Sequence, residues 1–187
     1  LTMLGLASWP MFSMLKAYAE REPALPLLFS PDFAWSRPFV RKVRSKLTYS
    51  TPPQGFADFQ GQNCLHVTTS TRLYSGVEFP DLHPDWSDYE LLSLEIFASG
   101  KVNIPVLIRL DAARDPYQND DWANLMVKIK PGSNRINVDL ATLFNAYSNN
   151  AFNRSDVYNI LVLTTDKRRH DLCFGDLLLQ KIGKSED

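Results

Sequence analysis

From Tyr89 onward, short apolar runs alternate with clusters of Asp, Asn, Pro and Gly. The runs cover residues 91–98, 102–110, 124–130, 134–140, 156–164 and 172–182. Each has the length of a strand, and turn residues separate it from the next. That pattern predicts an antiparallel β-sandwich. Within residues 102–110, Val102, Ile104, Val106 and Ile108 fall on one side of the pleat. Asn103, Leu107 and Arg109 fall on the other, and Asp111 joins them if the strand runs on. Pro131-Gly132-Ser133 suits the turn of a hairpin between residues 124–130 and 134–140. Residues 139–144 are expected to hold a short helical turn.

Upstream the pattern changes. Residues 39–50 alternate basic and apolar side chains, which predicts a strand or hairpin with a solvated basic face. Strands follow at 64–69, with Leu65, Val67 and Thr69 on one face, and at 73–79, ended by Pro80. Residues 8–22 read as a helix, with Ser8 as N-cap, Pro10 in the first turn and Pro23 as the stop. Phe12, Leu15 and Ala19, or Met11, Leu15 and Tyr18, would share its docked face. Residues 23–31 are an extended lead-in, and Asp32-Phe33-Ala34-Trp35 opens the sandwich. The expected organisation is helix and lead-in over 1–31, the β-sandwich domain over 32–182, and a polar tail over 183–187.

A chain of 187 residues with 44% hydrophobic content builds a real core. The formal net charge of -1 provides no overall basic field for nucleic acid. Cys64 and Cys173 are the only cysteines. They read as two buried thiols acting as small hydrophobes, and a disulfide between them requires an oxidising compartment. Residues 1–15 carry no charged side chain, but the stretch is short of the roughly 20 apolar residues of a spanning helix. A docked helix is the expectation, with a membrane segment further upstream compatible with it.

Carbohydrate binding needs an aromatic platform for the C–H face of a sugar and Asp, Asn, Arg or Gln for its hydroxyls. Arg109 and Asp111 lie on the polar side of a central strand. Asp115, Tyr117, Gln118, Asn119 and Trp122 follow in the adjoining loop. Arg109, Asp111, Tyr117 and Trp122 are therefore the candidate ligand-binding residues. His83 and Trp86 occupy another loop, where Trp86 and Tyr89 read first as core anchors. Glu78, Glu95, Asp111, Asp115, Asp120 and Asp121 supply carboxylates, but no spacing pairs them for glycoside hydrolysis. No nucleophile elbow, P-loop, G-x-G-x-x-G or H-E-x-x-H is present. Zinc is not expected, since His66, His83 and His170 are scattered and lack close Cys or His partners.

Two basic clusters stand out: Arg37, Arg41, Lys42, Arg44 and Lys46, then Lys167, Arg168, Arg169 and His170. The second reads as a charged hairpin loop between the last two strands. Solvated strand edges that discourage aggregation account for both. If both share one side, they would meet anionic lipid headgroups or a partner.

Five segments together carry a resemblance: Asp32-Phe33, Asp85-Trp86-Ser87-x-Tyr89, Ile108-Arg109-Leu110-Asp111, Gly132-x-Asn134-x-Ile136 and Asp176-Leu177-x-Leu179. The series resembles galactose-binding-like jelly rolls, including many carbohydrate-binding modules. The complex I intermediate-associated protein family shares the arrangement. The layout of residues 18–182, with Tyr18-Ala19-Glu20-Arg21 at its head, also resembles the soluble domain of some bacterial VanZ-like membrane proteins.

The resemblance implies an all-β antiparallel jelly-roll β-sandwich with a short N-terminal helix. It further implies a structural Ca²⁺ between the first and last strands, held by Asp32 and Asp176. Ala34 departs from the pattern, because an acidic residue often follows "D-F" there. Without a metal, Asp32 and Asp176 would cap strands or bind backbone amides. No other cofactor is expected.

The functional expectation is a non-catalytic carbohydrate-binding-type module for a cell-envelope or other glycan. It would be extracytoplasmic, periplasmic or at the cell surface, and tethered to a membrane through its N-terminus. A protein–protein interaction or assembly module is the alternative, and a jelly-roll glycoside hydrolase or lyase the third reading.

Overall fold

The structure, a computed structural model, describes residues 2–56, 59–112, 121–146 and 150–181, with side chains described from Met11 onward. Two antiparallel sheets face one another. The six-stranded sheet contains β1 (Leu27–Phe29), β3 (Ser45–Ser50), β4 (Cys64–Thr69), β6 (Leu91–Ala98), β9 (Gly132–Asp139) and β11 (Asp171–Gln180). Its order is β3-β4-β11-β6-β9, and β1 also pairs with β11. The five-stranded sheet contains β2 (Arg41–Val43), β5 (Ser75–Pro80), β7 (Ile104–Ala112), β8 (Asp121–Ile129) and β10 (Val157–Thr164). Its order is β2-β5-β10-β7-β8. The all-β jelly-roll reading holds.

Alternation along the strands fills the space between the sheets. Ile104, Val106, Ile108 and Leu110 of β7 meet Leu92, Leu94 and Ile96 of β6 in one buried cluster with Phe29, Phe79 and Phe174. Trp86 is fully buried in this cluster, and its indole donates to the His83 carbonyl oxygen at 2.6 Å. It is a core anchor. Burying one such large side chain contributes roughly 1.5–3 kcal/mol.

The main difference from expectation lies in connectivity. The 124–130 and 134–140 segments do not form a hairpin, because β8 pairs with β7 while β9 pairs with β6 in the other sheet. The loop between β10 and β11 likewise crosses between sheets and is not a hairpin loop. Residues 39–50 form two strands in different sheets, joined where Arg44 adopts φ 53°. The lead-in carries β1, a strand not expected there. Asp32-Phe33-Ala34-Trp35 starts no strand, since residues Ala34–Phe39 form a 3-10 turn. The expected short turn after Asp139 is present as Leu140–Thr142, capped by the Asp139 side chain.

Helix α1 spans Thr2–Arg21. Ser8 and Pro10 therefore lie inside it, not at its start. The helix packs on the 34–39 turn through Ala17, which is buried with Trp35 and Phe39. Tyr18 sits edge-on to Phe39 at 5.0 Å. Met11, Phe12 and Leu15 are exposed instead of docked. Among the described residues, no helix is long and apolar enough to cross a membrane.

Candidate functional site

On the outer face of the five-stranded sheet the pleat carries polar groups. Cα register places Arg109 of β7 between Asn124 of β8 and Leu161 of β10. Asp111 stands between Trp122 and Asn159 in the same way. The Arg109 Nε donates to Asp111 Oδ1 at 2.5 Å. The guanidinium also lies over the Trp122 ring, 5.2 Å from its centroid, a geometry in which the ring quadrupole attracts the cation. Asp111 is 4% exposed. Its second oxygen accepts from Asn159 Nδ2 at 3.0 Å, and the same nitrogen donates to Glu78 Oε1 at 3.2 Å. Two carboxylate acceptors fix which end of the amide faces them. The Asn159 amide oxygen is buried with no partner among the described residues.

The pattern-based candidates Arg109, Asp111 and Trp122 thus converge on one network. Tyr117 lies outside the described residues, as do Asp115, Gln118 and Asn119. Beside the network is a depression of about 320 Å³, lined by Tyr74, Leu107, Arg109, Asn124, Leu161 and Leu163. Tyr74 and Met126 are exposed on this side. Asn159 was missed from the sequence. Its signal is an Asn inside the otherwise apolar run 157–163, where strands disfavour it.

Glu78 and Asp111 share one amide donor, yet both oxygens of Asp111 are engaged by Arg109 and Asn159. That arrangement holds the groups still. Asp121 is likewise structural, accepting from Asn145 Nδ2 at 2.6 Å and from the Asn153 amide at 2.8 Å. The Asn153 side chain caps the Arg154–Asp156 turn.

Asp176 lies on β11 of the other sheet, and Asp32 in the turn that follows β1. Asp32 Oδ1 accepts from the Asn63 amide and side chain, and Oδ2 from the Gln62 amide. Burial opposes its ionised form, but these bonds, with Arg37 nearby, hold it below the usual carboxylate range. Asp176 sits at the irregularity in β11 between Phe174 and Leu177. Burial pushes its carboxyl up. A hydrogen bond with Ser30 opposes the rise, and repulsion from Glu95 and Asp32 adds to it. Its Oδ1 is buried without a partner among the described residues. An orphaned oxygen beside further carboxylates suits a hard cation, which takes oxygen ligands.

Cys64 and Cys173 form a disulfide between β4 and β11, not a pair of free thiols. Phe56, Phe59 and Phe97 pack over it. His66 also proves to have close cysteine neighbours, since one ligand atom from each of Cys64, His66 and Cys173 lies within 4.8 Å of the others. With both sulfurs bonded to each other, the trio offers no thiolate to a metal.

No family model matches the chain, and no curated protein matches it. Solved structures do. A family 11 carbohydrate-binding module from Clostridium thermocellum, in complex with a β-1,3-1,4-mixed-linked tetrasaccharide, superposes with a TM-score of 0.64 at 11% identity. The match covers 83% of this chain and 95% of that one. The CBM22-1 xylan-binding domain from Paenibacillus barcinonensis Xyn10C gives a TM-score of 0.57 at 13% identity, over 84% and 96% of the two chains. An agarase gives 0.62 at 15% identity, over 84% of this chain but 26% of that enzyme. At these identities the likeness shows the fold, a β-sandwich jelly roll of the kind found in carbohydrate-binding modules.

Proposed function

We propose that the protein is a non-catalytic carbohydrate-binding domain, with its ligand lying across the outer face of the five-stranded sheet. The observation that carries this reading is the Arg109–Asp111–Trp122 network. A cation, a carboxylate and an indole are held rigid by strands on a sheet face, beside a depression edged by Tyr74 and Asn124. Strand-borne groups lose little freedom on binding, which favours recognition of a flexible glycan. Trp122 serves the sugar C–H face, and Arg109 and Asn124 serve hydroxyls. The structurally similar modules bind a mixed-linked glucan tetrasaccharide and xylan, so β-linked glucans and xylans are the first ligands to test. The test is a glycan array with Trp122→Ala beside the unaltered protein. Hits that disappear in the variant support the reading, and a blank array with and without Ca²⁺ overturns it.

The Cys64–Cys173 disulfide supports an extracytoplasmic location, since such bonds persist in oxidising compartments. Exposed Met11, Phe12 and Leu15 on α1 support attachment at a membrane surface through the N-terminal helix. Vesicle flotation tests that attachment, which Phe12→Ser with Leu15→Ser should abolish. Asp32 and Asp176, with backbone oxygens, would hold a structural Ca²⁺ that neutralises the carboxylates around Ser30 and links the start of the sandwich to β11. Thermal unfolding checks it, with a Tm raised by Ca²⁺ in the unaltered protein and unmoved in Asp176→Asn.

A further inference from the structure

The two basic clusters of the sequence meet at one end of the sandwich. Arg44, at the junction of β2 and β3, and Lys46, on β3, line a depression of about 360 Å³ together with Arg169 from the β10–β11 loop. Thr71 adds a hydroxyl to the same wall, while the Thr68 and Ser70 hydroxyls are bonded to Asp171 and Ser75. The walls are held firmly. The Thr69 amide donates to the His170 carbonyl oxygen at 2.8 Å, and the His170 amide returns a bond to Thr69 Oγ1 at 2.8 Å. His170 Nε2 lies 2.8 Å from Asp166 Oδ1, and Arg168 pairs with the same carboxylate. Arg44 donates to the Leu73 carbonyl oxygen at 2.9 Å, and its own carbonyl accepts from Ser75 Oγ at 2.8 Å. The loops are thus anchored beneath their cations.

Lys46 and Arg169 pair with no carboxylate among the described residues. Asp171 of β11 stands opposite Thr68 and accepts from Thr68 Oγ1 at 2.7 Å. Solvated edges alone do not require cations from two distant segments to share a wall with a hydroxyl. Cations and a hydroxyl donor around one hollow are the chemistry of oxyanion recognition.

We infer that this hollow is a second binding site, which takes a sulfate or phosphate ester carried on a polysaccharide. The inference rests on the carbohydrate reading only for the scaffold that bears the oxyanion. The 70–74 loop separates this hollow from the depression beside Arg109, with Ser70 and Thr71 on one flank and Tyr74 on the other.

The test is a binding titration of dextran sulfate against dextran, with the oxidised protein at low and moderate salt. The expected result is binding of dextran sulfate alone, weakening as salt is raised. Lys46→Ala with Arg169→Ala should cost about tenfold in affinity or more, because two charge-assisted hydrogen bonds are lost. Lys16→Ala with Lys130→Ala, equal in charge but elsewhere, should leave it unchanged. Equal losses in the two double variants would mean diffuse attraction and overturn the site, as would no loss in either. Binding to phosphatidylglycerol vesicles through Lys46 and Arg169, with none to dextran sulfate, would overturn the glycan assignment in favour of a lipid headgroup. Trp122→Ala should keep its affinity for dextran sulfate, so failure of the neutral-sugar site and failure of this one are read separately.

Discussion

Asp111 organises the polar face of the five-stranded sheet. It receives Arg109 on one oxygen and Asn159 on the other while almost fully buried. In Asp111→Ala the Arg109 Nε loses its acceptor and no longer holds its position over Trp122, and Asn159 keeps only Glu78. Urea unfolding should show a loss of about 1–3 kcal/mol, the cost of leaving buried partners unsatisfied, and binding of any array hit should vanish. A second residue-scale prediction concerns acid. Burial works against the Asp166 carboxylate, but His170 and Arg168 more than compensate and hold it below the usual range. A carboxylate depressed on folding adds stability above its unfolded value of 3.8, and that gain disappears as pH falls through the lower folded value. Asp166→Asn should therefore be less stable than the unaltered protein at neutral pH, and the gap should close as pH falls below 3.8 through the lower folded value. A gap of constant size across that range would contradict the assignment. Arg109 and Asp111 were legible because a strand's period of two sorts its faces, whereas Trp122 was read from its polar neighbours as a loop residue and instead lies on β8. Asn159 and Glu78 were not, because their approach depends on which strands lie side by side.

At the scale of elements, strand positions were largely readable and strand partners were not. Hydrophobic alternation located β4, β6, β7, β10 and β11 closely. Pro131-Gly132 looked like a hairpin turn, yet the chain there passes from one sheet to the other. A turn dipeptide specifies a local reversal, whereas the choice of partner strand comes from burial of both faces of the sandwich. The exposed helix residues Phe12 and Leu15 show the same limit, since α1 docks through the small Ala17. Close strand approach also has a residue behind it. A Cβ placed on Gly76 of β5 would lie 2.0 Å from the Val162 carbonyl oxygen of β10. Gly76→Ala should therefore destabilise by about 1–3 kcal/mol or more in denaturant unfolding, as overpacking against fixed backbone does. Gly100→Ala, which meets nothing within 4 Å, is the control and should not share that loss.

For the whole molecule, the Cys64–Cys173 bond ties β4 to β11 across a separation of 109 residues. In the loop-entropy account a link of that length restricts the unfolded chain by about 5 kcal/mol. Cys64→Ala with Cys173→Ala should lower unfolding free energy by about 2–5 kcal/mol, and dithiothreitol should reproduce the effect in the unaltered protein but not in the variant. The cysteines were visible in the sequence, but their pairing depended on β4 lying beside β11. The same topology sets the polar network of β5, β7, β8 and β10 on one face and brings both basic clusters to one end.

The most direct test of the account is nuclear magnetic resonance of the labelled protein titrated with the strongest neutral hit from the glycan array. The Trp86 indole is committed to the His83 carbonyl oxygen in the core and Trp35 is buried, so neither should respond. The account predicts that the Trp122 indole and the Arg109 and Asn124 amides shift together and saturate with one affinity. Shifts confined to the six-stranded sheet, with Trp122 unmoved, would contradict it.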